Sequence, residues 1–198
     1  MYRIVEFMGM PKAGKTTNID RLKEFLQHEK GVFARLYEQG ARTIPFDKDA
    51  FGRFAYNMVS AYRVVDRLLS DYNPDSPGRV VLIDRGIFDH MAFAIALHNA
   101  ELITEEQRDS SIAQLSNYTD LETHLILFEI APEEAMKREQ TKHPYTGRVM
   151  NPCFLGHLFE AYHEVILPIM EEKKKLLVVD GQESLEENKK KIIQFLGL

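Results

Sequence analysis

Cysteine is almost absent from the sequence. The single Cys153 has no partner for an internal disulfide, and no Cys/His pair has zinc-finger spacing. Cys153 reads as a packed thiol, and a reducing cytoplasm is the simplest setting for such a chain. Long hydrophobic runs are missing as well. No uncharged stretch approaches the ~20 apolar residues of a membrane span, and no basic segment followed by an apolar one marks a signal peptide. Nor is there a large excess of one charge. With 25 Lys and Arg against 30 Asp and Glu, the net charge of −5 gives no overall field favouring nucleic acid or anionic membranes. Repeats and low-complexity tracts are also lacking. What remains is 198 residues, 44% hydrophobic and 28% charged, enough for one domain over residues 1–198 with a buried core.

The pattern along the chain alternates strand and helix. Residues 2–8 are apolar-rich with β-favouring side chains, and 32–37, 79–83, 124–130 and 176–179 form further short apolar runs. The run at 79–83 is continuous, as in a strand covered on both faces. Between these runs lie helical periods. Ile19, Leu22, Phe25 and Leu26 share a stripe in 15–29. Phe51, Ala55, Met58, Tyr62, Val65 and Leu69 share one in 47–70, which the breaker cluster at 72–78 ends. A helix is predicted near 88–99, another from the Thr104/Gln107 capping box, and another opening at Pro132. Residues 154–170 are amphipathic through Leu155, Leu158, Phe159, Tyr162, Val165, Ile166 and Ile169, and Ser184 with Glu187 caps a last helix. Strands separated by helices predict an α/β fold: a five-stranded parallel sheet with helices on both faces.

Residues 9–16 read Gly-Met-Pro-Lys-Ala-Gly-Lys-Thr, matching G-x-x-x-x-G-K-[ST] at every fixed position. The pattern sits between a strand and a helix, the order a phosphate-binding loop requires. Gly9 and Gly14 let the chain wrap so that amides of Lys12, Ala13, Gly14, Lys15, Thr16 and Thr17 converge on phosphate oxygens. The helix dipole adds positive potential. Lys15 reaches the β- and γ-phosphates, and the Thr16 hydroxyl ligates Mg²⁺. The expected ligand is a nucleotide with its magnesium. The guanine-reading Asn-Lys-x-Asp of a GTPase switch is missing, since Thr141-Lys-His-Pro144 lacks the acid.

Three further groups point to the same crevice. Asp84-Arg85-Gly86 ends the third strand, where ligands of open α/β sheets bind. Asp84 could hold Mg²⁺ and Arg85 could clamp a phosphoryl group, or the two could be a surface pair in a βα turn. Glu38 ends the second strand and could accept a hydroxyl proton, and Arg42 could bind an acceptor anion; both could equally be solvated loop residues. Lys137, Arg138, Lys142 and Arg148 surround the flexible-looking His143-Pro-Tyr-Thr-Gly147. A lid over about 138–150 would bring Arg138 and Arg148 to the transferring group; the alternative is a solvated basic loop. Phe51 and Tyr62 read as core, and His157 and His163 as ordinary helix residues.

With these motifs stated, the chain resembles the nucleotide and nucleoside kinase branch of P-loop proteins, nearest the thymidylate kinase and deoxynucleoside kinase group. The resemblance rests on the P-loop through Thr17, Tyr-Glu-Gln-Gly40, Ile-Asp-Arg-Gly86, the basic stretch after the fourth strand and the tail through Ser184. It implies ATP with Mg²⁺, with Lys15 and Thr16 at the donor, Asp84 near magnesium, Arg85 at the acceptor and lid arginines at the transferred group. The implied activity is transfer of the γ-phosphoryl group to a small acceptor, a nucleoside monophosphate or a deoxynucleoside. Thymidylate kinases tend to have Arg-Glu-Pro-Gly-Gly where this chain has Tyr-Glu-Gln-Gly-Ala. Asp84 to Phe93 also looks like NadR-like ribosylnicotinamide kinases, so a non-standard acceptor is a second expectation. A regulatory nucleotide-binding protein is a third. The apolar faces of the long helices could pair two copies as a homodimer.

Overall fold

The computed structural model describes residues 3–37, 44, 52–73, 75, 79–142, 150–168 and 175–198. Five strands, β1 (Arg3–Gly9), β2 (Phe33–Tyr37), β3 (Arg79–Asp84), β4 (His124–Glu129) and β5 (Lys175–Asp180), form one sheet in the order β2-β3-β1-β4-β5. Every pairing is parallel. All carboxyl ends therefore meet one edge, with β1 central. That edge carries the Gly9 loop, the Asp84 turn and the turn after Asp180. β1 and β4 are buried along nearly their whole length, and β3 after its first residue, which is why 80–83 and 125–128 are continuous apolar runs and β1 is apolar from Ile4 to Met8 apart from Glu6.

The helices are α1 (Lys15–His28), α2 (Arg53–Asp71), α3 (Ile87–Asn99), α4 (Glu105–Ser116), α5 (Pro132–Lys142), α6 (Pro152–Glu160) and α7 (Leu185–Leu196). Thr104 and Gln107 make both hydrogen bonds of a capping box at α4, and Ser184 and Glu187 do so at α7. α3 packs against α2, α4 and α6, and ten of its thirteen residues are buried. A helix covered all round must satisfy its polar side chains internally. His90 does so through Asn57 (Nδ1 to Oδ1, 2.8 Å) and Ser60 (Nε2 to Oγ, 3.2 Å) on α2. Burial lowers its pKa to about 4, so the ring is neutral.

Three expectations are corrected. The buried stripe of α2 runs through Met58, Ala61, Val64, Val65 and Leu68; Tyr62 is 39% exposed and donates to Gln114, and Leu69 is 54% exposed. Cys153 is exposed, its Sγ 3.6 Å from His157 Nε2. The amphipathic stretch at 154–170 is not one regular helix. α6 passes at Ala161–Ile166 into a π-helical turn, which turns Ala161, Tyr162 and Ile166 into the core. Phe51 lies outside the described residues. No helix among the described residues is long and apolar enough to cross a membrane.

Candidate active site

The loop between β1 and α1 is built on two glycines. Gly9 has φ 125°, and a Cβ there would collide with the Phe128 carbonyl of neighbouring β4. Gly14 caps α1 in the left-handed region at φ 93°. Lys12 is also left-handed, at φ 62°. The first intrahelical bond runs from Asn18 N to Gly14 O, so the amides of residues 15–17 have no acceptor within the helix. Those amides and the helix dipole suit an anion. Ala13 is buried, and Thr16 and Thr17 are exposed at the mouth.

Lys15 lies inside its own loop, 5% exposed, with Nζ donating to the carbonyls of Gly9 and Met10, both at 2.8 Å. Burial, and then the nearby Arg85 cation, lower its pKa to about 7 against the pull of Asp89 and Asp84. Thr16 Oγ1 donates to Asp84 Oδ2 at 3.1 Å. Asp84 is 3% exposed, and its Oδ1 has no hydrogen-bond partner among the described residues. The structure thus brings Lys15, Thr16, Asp84 and Arg85 to adjacent strand ends.

Two residues essential to this arrangement were not singled out from sequence. Asp89, on the first turn of α3, binds Arg85 (NH1 to Oδ2, 2.6 Å) and accepts at Oδ1 from Tyr162 OH (2.5 Å) and Gly9 N (3.1 Å). The Tyr162 hydroxyl oxygen also accepts from Gly9 N at 3.2 Å. Burial would raise the Asp89 carboxyl, but Arg85, Lys15 and the Tyr162 hydroxyl hold it below the usual range. Burial alone would lower Arg85; Asp89 outweighs it and keeps the guanidinium firmly charged. The Arg85 guanidinium also stands 5.0 Å from the centre of the Phe93 ring. Asp89 was visible as a carboxylate four residues after Arg85 in an otherwise apolar helix. Tyr162 gave no signal apart from its place on an apolar stripe.

Arg138 lies on the opposite side of the loop. Its NH1 donates to Lys12 O at 3.2 Å and to Gly181 O at 3.0 Å, and its Nε to Glu134 at 2.9 Å. Lys12 Nζ pairs with Glu139 at 2.5 Å. Residues 138–142 of the expected lid continue helix α5. Glu38, Arg42 and Arg148 lie outside the described residues, as do 143–149.

No protein-family profile matches the sequence, and no curated protein does. Solved structures do match. A deoxyadenosine kinase from M. mycoides, with the products dCMP and a flexible dCDP bound, superposes with a TM-score of 0.76 at 14% identity over 98% of each chain. The same kinase with bound dATP gives 0.73 at 14% identity, over 98% of this chain and 100% of that one. With bound dCTP it gives 0.73 at 13% identity over 98% of both. The parallel sheet and its flanking helices therefore share the fold of this deoxyadenosine kinase.

Proposed function

We propose that the chain is an ATP-dependent phosphotransferase that moves the γ-phosphoryl group to the hydroxyl of a deoxynucleoside. The observation that carries this reading is the cluster at the ends of β1 and β3. There a buried lysine, a hydroxyl–carboxylate pair and a clamped arginine surround a loop shaped for phosphate. The deoxyadenosine kinase fold supports the choice of acceptor class.

Asp84 and Thr16 fit Mg²⁺. One buried carboxylate oxygen has no partner among the described residues, and a hydroxyl sits against the other, a donor set suited to a hard cation. When bound, the cation supplies neutralisation of phosphate charge. The chain's own residues do the rest. The Lys15 ammonium exchanges the Gly9 and Met10 carbonyls for phosphate oxygens, and the amides opening α1 hold the donor. Such a site works by alignment and charge stabilisation rather than covalent chemistry.

The electrostatics of the acceptor side support an uncharged acceptor. Among the described residues, Arg85 is already neutralised by Asp89, and the amides that open α3 are taken by carboxylates of the protein. Those described residues leave little uncompensated positive charge for the phosphate of a monophosphate. A hydroxyl acceptor benefits from a base, and Glu38, the residue after β2, is the candidate.

The test is an ADP-release screen of deoxynucleosides, nucleoside monophosphates and ribosylnicotinamide with ATP and Mg²⁺. Turnover that depends on an added deoxynucleoside supports the proposal. Turnover only with monophosphates moves the acceptor class, acceptor-independent turnover makes the protein a regulatory NTPase, and silence with every compound ends the kinase reading.

A further inference from the structure

Two carboxylates with no part in the phosphate site are wholly buried: Glu6 on central strand β1 and Glu122 just before β4, each 0% exposed. A buried carboxyl is costly unless its oxygens are satisfied. These two are aimed at the start of α3. Glu6 Oε1 accepts from the amides of Gly86 (2.9 Å) and Asp89 (2.8 Å), and Oε2 from that of Phe88 (3.1 Å). Glu122 Oε1 accepts from the amide of Ile87 at 3.1 Å. Every amide from 86 to 89 therefore has an acceptor inside the protein, where a helix would otherwise offer those groups to water or a ligand.

The fit also explains the glycine. A Cβ on Gly86 would collide with Glu122 Oε1 and come within 2.7 Å of Glu6 Cδ. The Asp-Arg-Gly sequence needs its third residue because the carboxyls stand there. Just before it, Arg85 has φ 67°, a left-handed conformation that costs about 1–2 kcal/mol for a side chain with a Cβ. Its amide is held by Phe7 O at 3.0 Å, and the next amide by Glu6. Glu6 also binds the amide of Asp89, the partner of Arg85. One carboxyl thus fixes the backbone of both members of the Arg85–Asp89 pair.

The two carboxyls close on the same spot, with Glu122 Oε1 and Glu6 Oε2 both within 2.9 Å of where a Gly86 Cβ would stand, and carboxyls that share a dry site favour holding one proton between them. Burial pushes the Glu6 carboxyl up, as does the neighbouring Asp89, so a second negative charge in this pocket is disfavoured. The amides favour Glu6 as the seat of the charge, since its two oxygens accept from three of them.

We propose that Glu6 and Glu122 are a positioning pair, Glu6 as the charged member and Glu122 as the protonated one, which caps α3 from within and fixes the turn presenting Arg85. The proposal rests on the reading of Arg85 as an acceptor-side residue.

The test compares two isosteric changes in the full chain. Glu122→Gln keeps an acceptor for the Ile87 amide and removes the second ionisable carboxyl. Glu6→Gln sets an NH₂ against amides that need an acceptor. Hydrogen exchange at amides 86–89 should stay close to wild type in Glu122→Gln and speed up about tenfold or more in Glu6→Gln. In steady state, Glu6→Gln should lose about tenfold in kcat/KM for the acceptor while the Kd of a non-hydrolysable ATP analogue changes less than about twofold. Equal losses in the two variants, or none in Glu6→Gln, overturn the proposal. If Glu6→Gln does not fold, ¹³C NMR of the wild-type glutamate carboxyls decides. One neutral carboxyl at pH 7 that vanishes in Glu122→Gln is expected, and two ionised ones refute the pair. Exchange and NMR need no turnover. Altered exchange in a protein inactive on every acceptor would remove the kinase reading and the acceptor role while leaving the cap. Activity with unaltered exchange would remove the cap alone.

Discussion

Nucleotide binding at pH 8 should draw nearly one proton from solution. The reason lies in the placement of Lys15. With its ammonium folded into the loop and Arg85 nearby, its pKa falls from 10.5 to about 7. At pH 8 only about a tenth of the molecules carry that proton, and at pH 6 about nine-tenths do. A bound polyphosphate supplies the counter-charge that burial removed and restores the ordinary ammonium. Uptake should therefore be about 0.9 proton at pH 8 and about 0.1 at pH 6. The nucleotide adds little at pH 8, because a terminal phosphate with its second pKa near ~6 is already ionised. His90 and His124, each lowered by burial to about 4, do not titrate in this window. The assay is calorimetric titration of ADP into the protein in two buffers of different ionisation enthalpy; the slope of observed enthalpy against buffer enthalpy gives the proton count. Lys15→Arg keeps a permanent cation and should bind without uptake. A slope near zero for the wild type at pH 8, or an unchanged slope in Lys15→Arg, would refute the reasoning. The same depressed value carries a stability consequence. Between about 7 and 10.5 the unfolded chain holds a proton that the folded one lacks, so this group makes ligand-free stability rise with pH across that window; its favourable contribution is lost as pH falls through about 7.

Three other outcomes follow from the site. Tyr162→Phe removes the hydroxyl shared by Asp89 and the Gly9 amide and should cost about 1–3 kcal/mol in urea unfolding; an unchanged midpoint would contradict the buried network. Asp84→Asn should lower kcat by about a hundredfold or more and raise the magnesium needed for half-maximal rate, whereas an unchanged magnesium titration would dissociate Asp84 from the cation. Glu38→Gln should cripple transfer to a hydroxyl and harm transfer to a phosphate less, as measured by kcat on each acceptor, and the reverse order would take Glu38 out of the base role.

What could be read from sequence was local. The strands were legible because a sheet covered on both faces needs continuous apolar runs, as at Val80–Ile83 and Leu125–Phe128. The capping boxes at Thr104 and Ser184 span four residues each, and the phosphate loop spans eight, so neighbours in sequence carried their whole meaning. The face of α2 was harder. Tyr62 and Leu69 are large and lie at helical spacing, yet Ala61 and Leu68, one position back on the wheel, face the core. Helical periodicity alone leaves that much rotation undetermined. The π-helical turn was hidden because the apolar stripe from Leu155 to Ile169 also suits a regular helix. The Gly9, Asp89 and Tyr162 network was out of reach, since it joins residues up to 153 positions apart. Glu6 was conspicuous as the one acid within an apolar strand. Its partners, three amides at the start of α3, and the neighbouring Glu122 carboxyl belong to segments that only the sheet brings together.

Arg138 ties more than a loop. One guanidinium nitrogen spans the carbonyls of Lys12 and Gly181, and at Gly181 the chain passes so close to Ala13 that a Cβ would sit 2.7 Å from its carbonyl oxygen. The turn leaving β5 is thus lashed to the glycine-built loop between β1 and α1. Replacing that one side chain would therefore free two segments at once, the loop ahead of α1 and the turn after a strand whose Val178 side chain faces solvent.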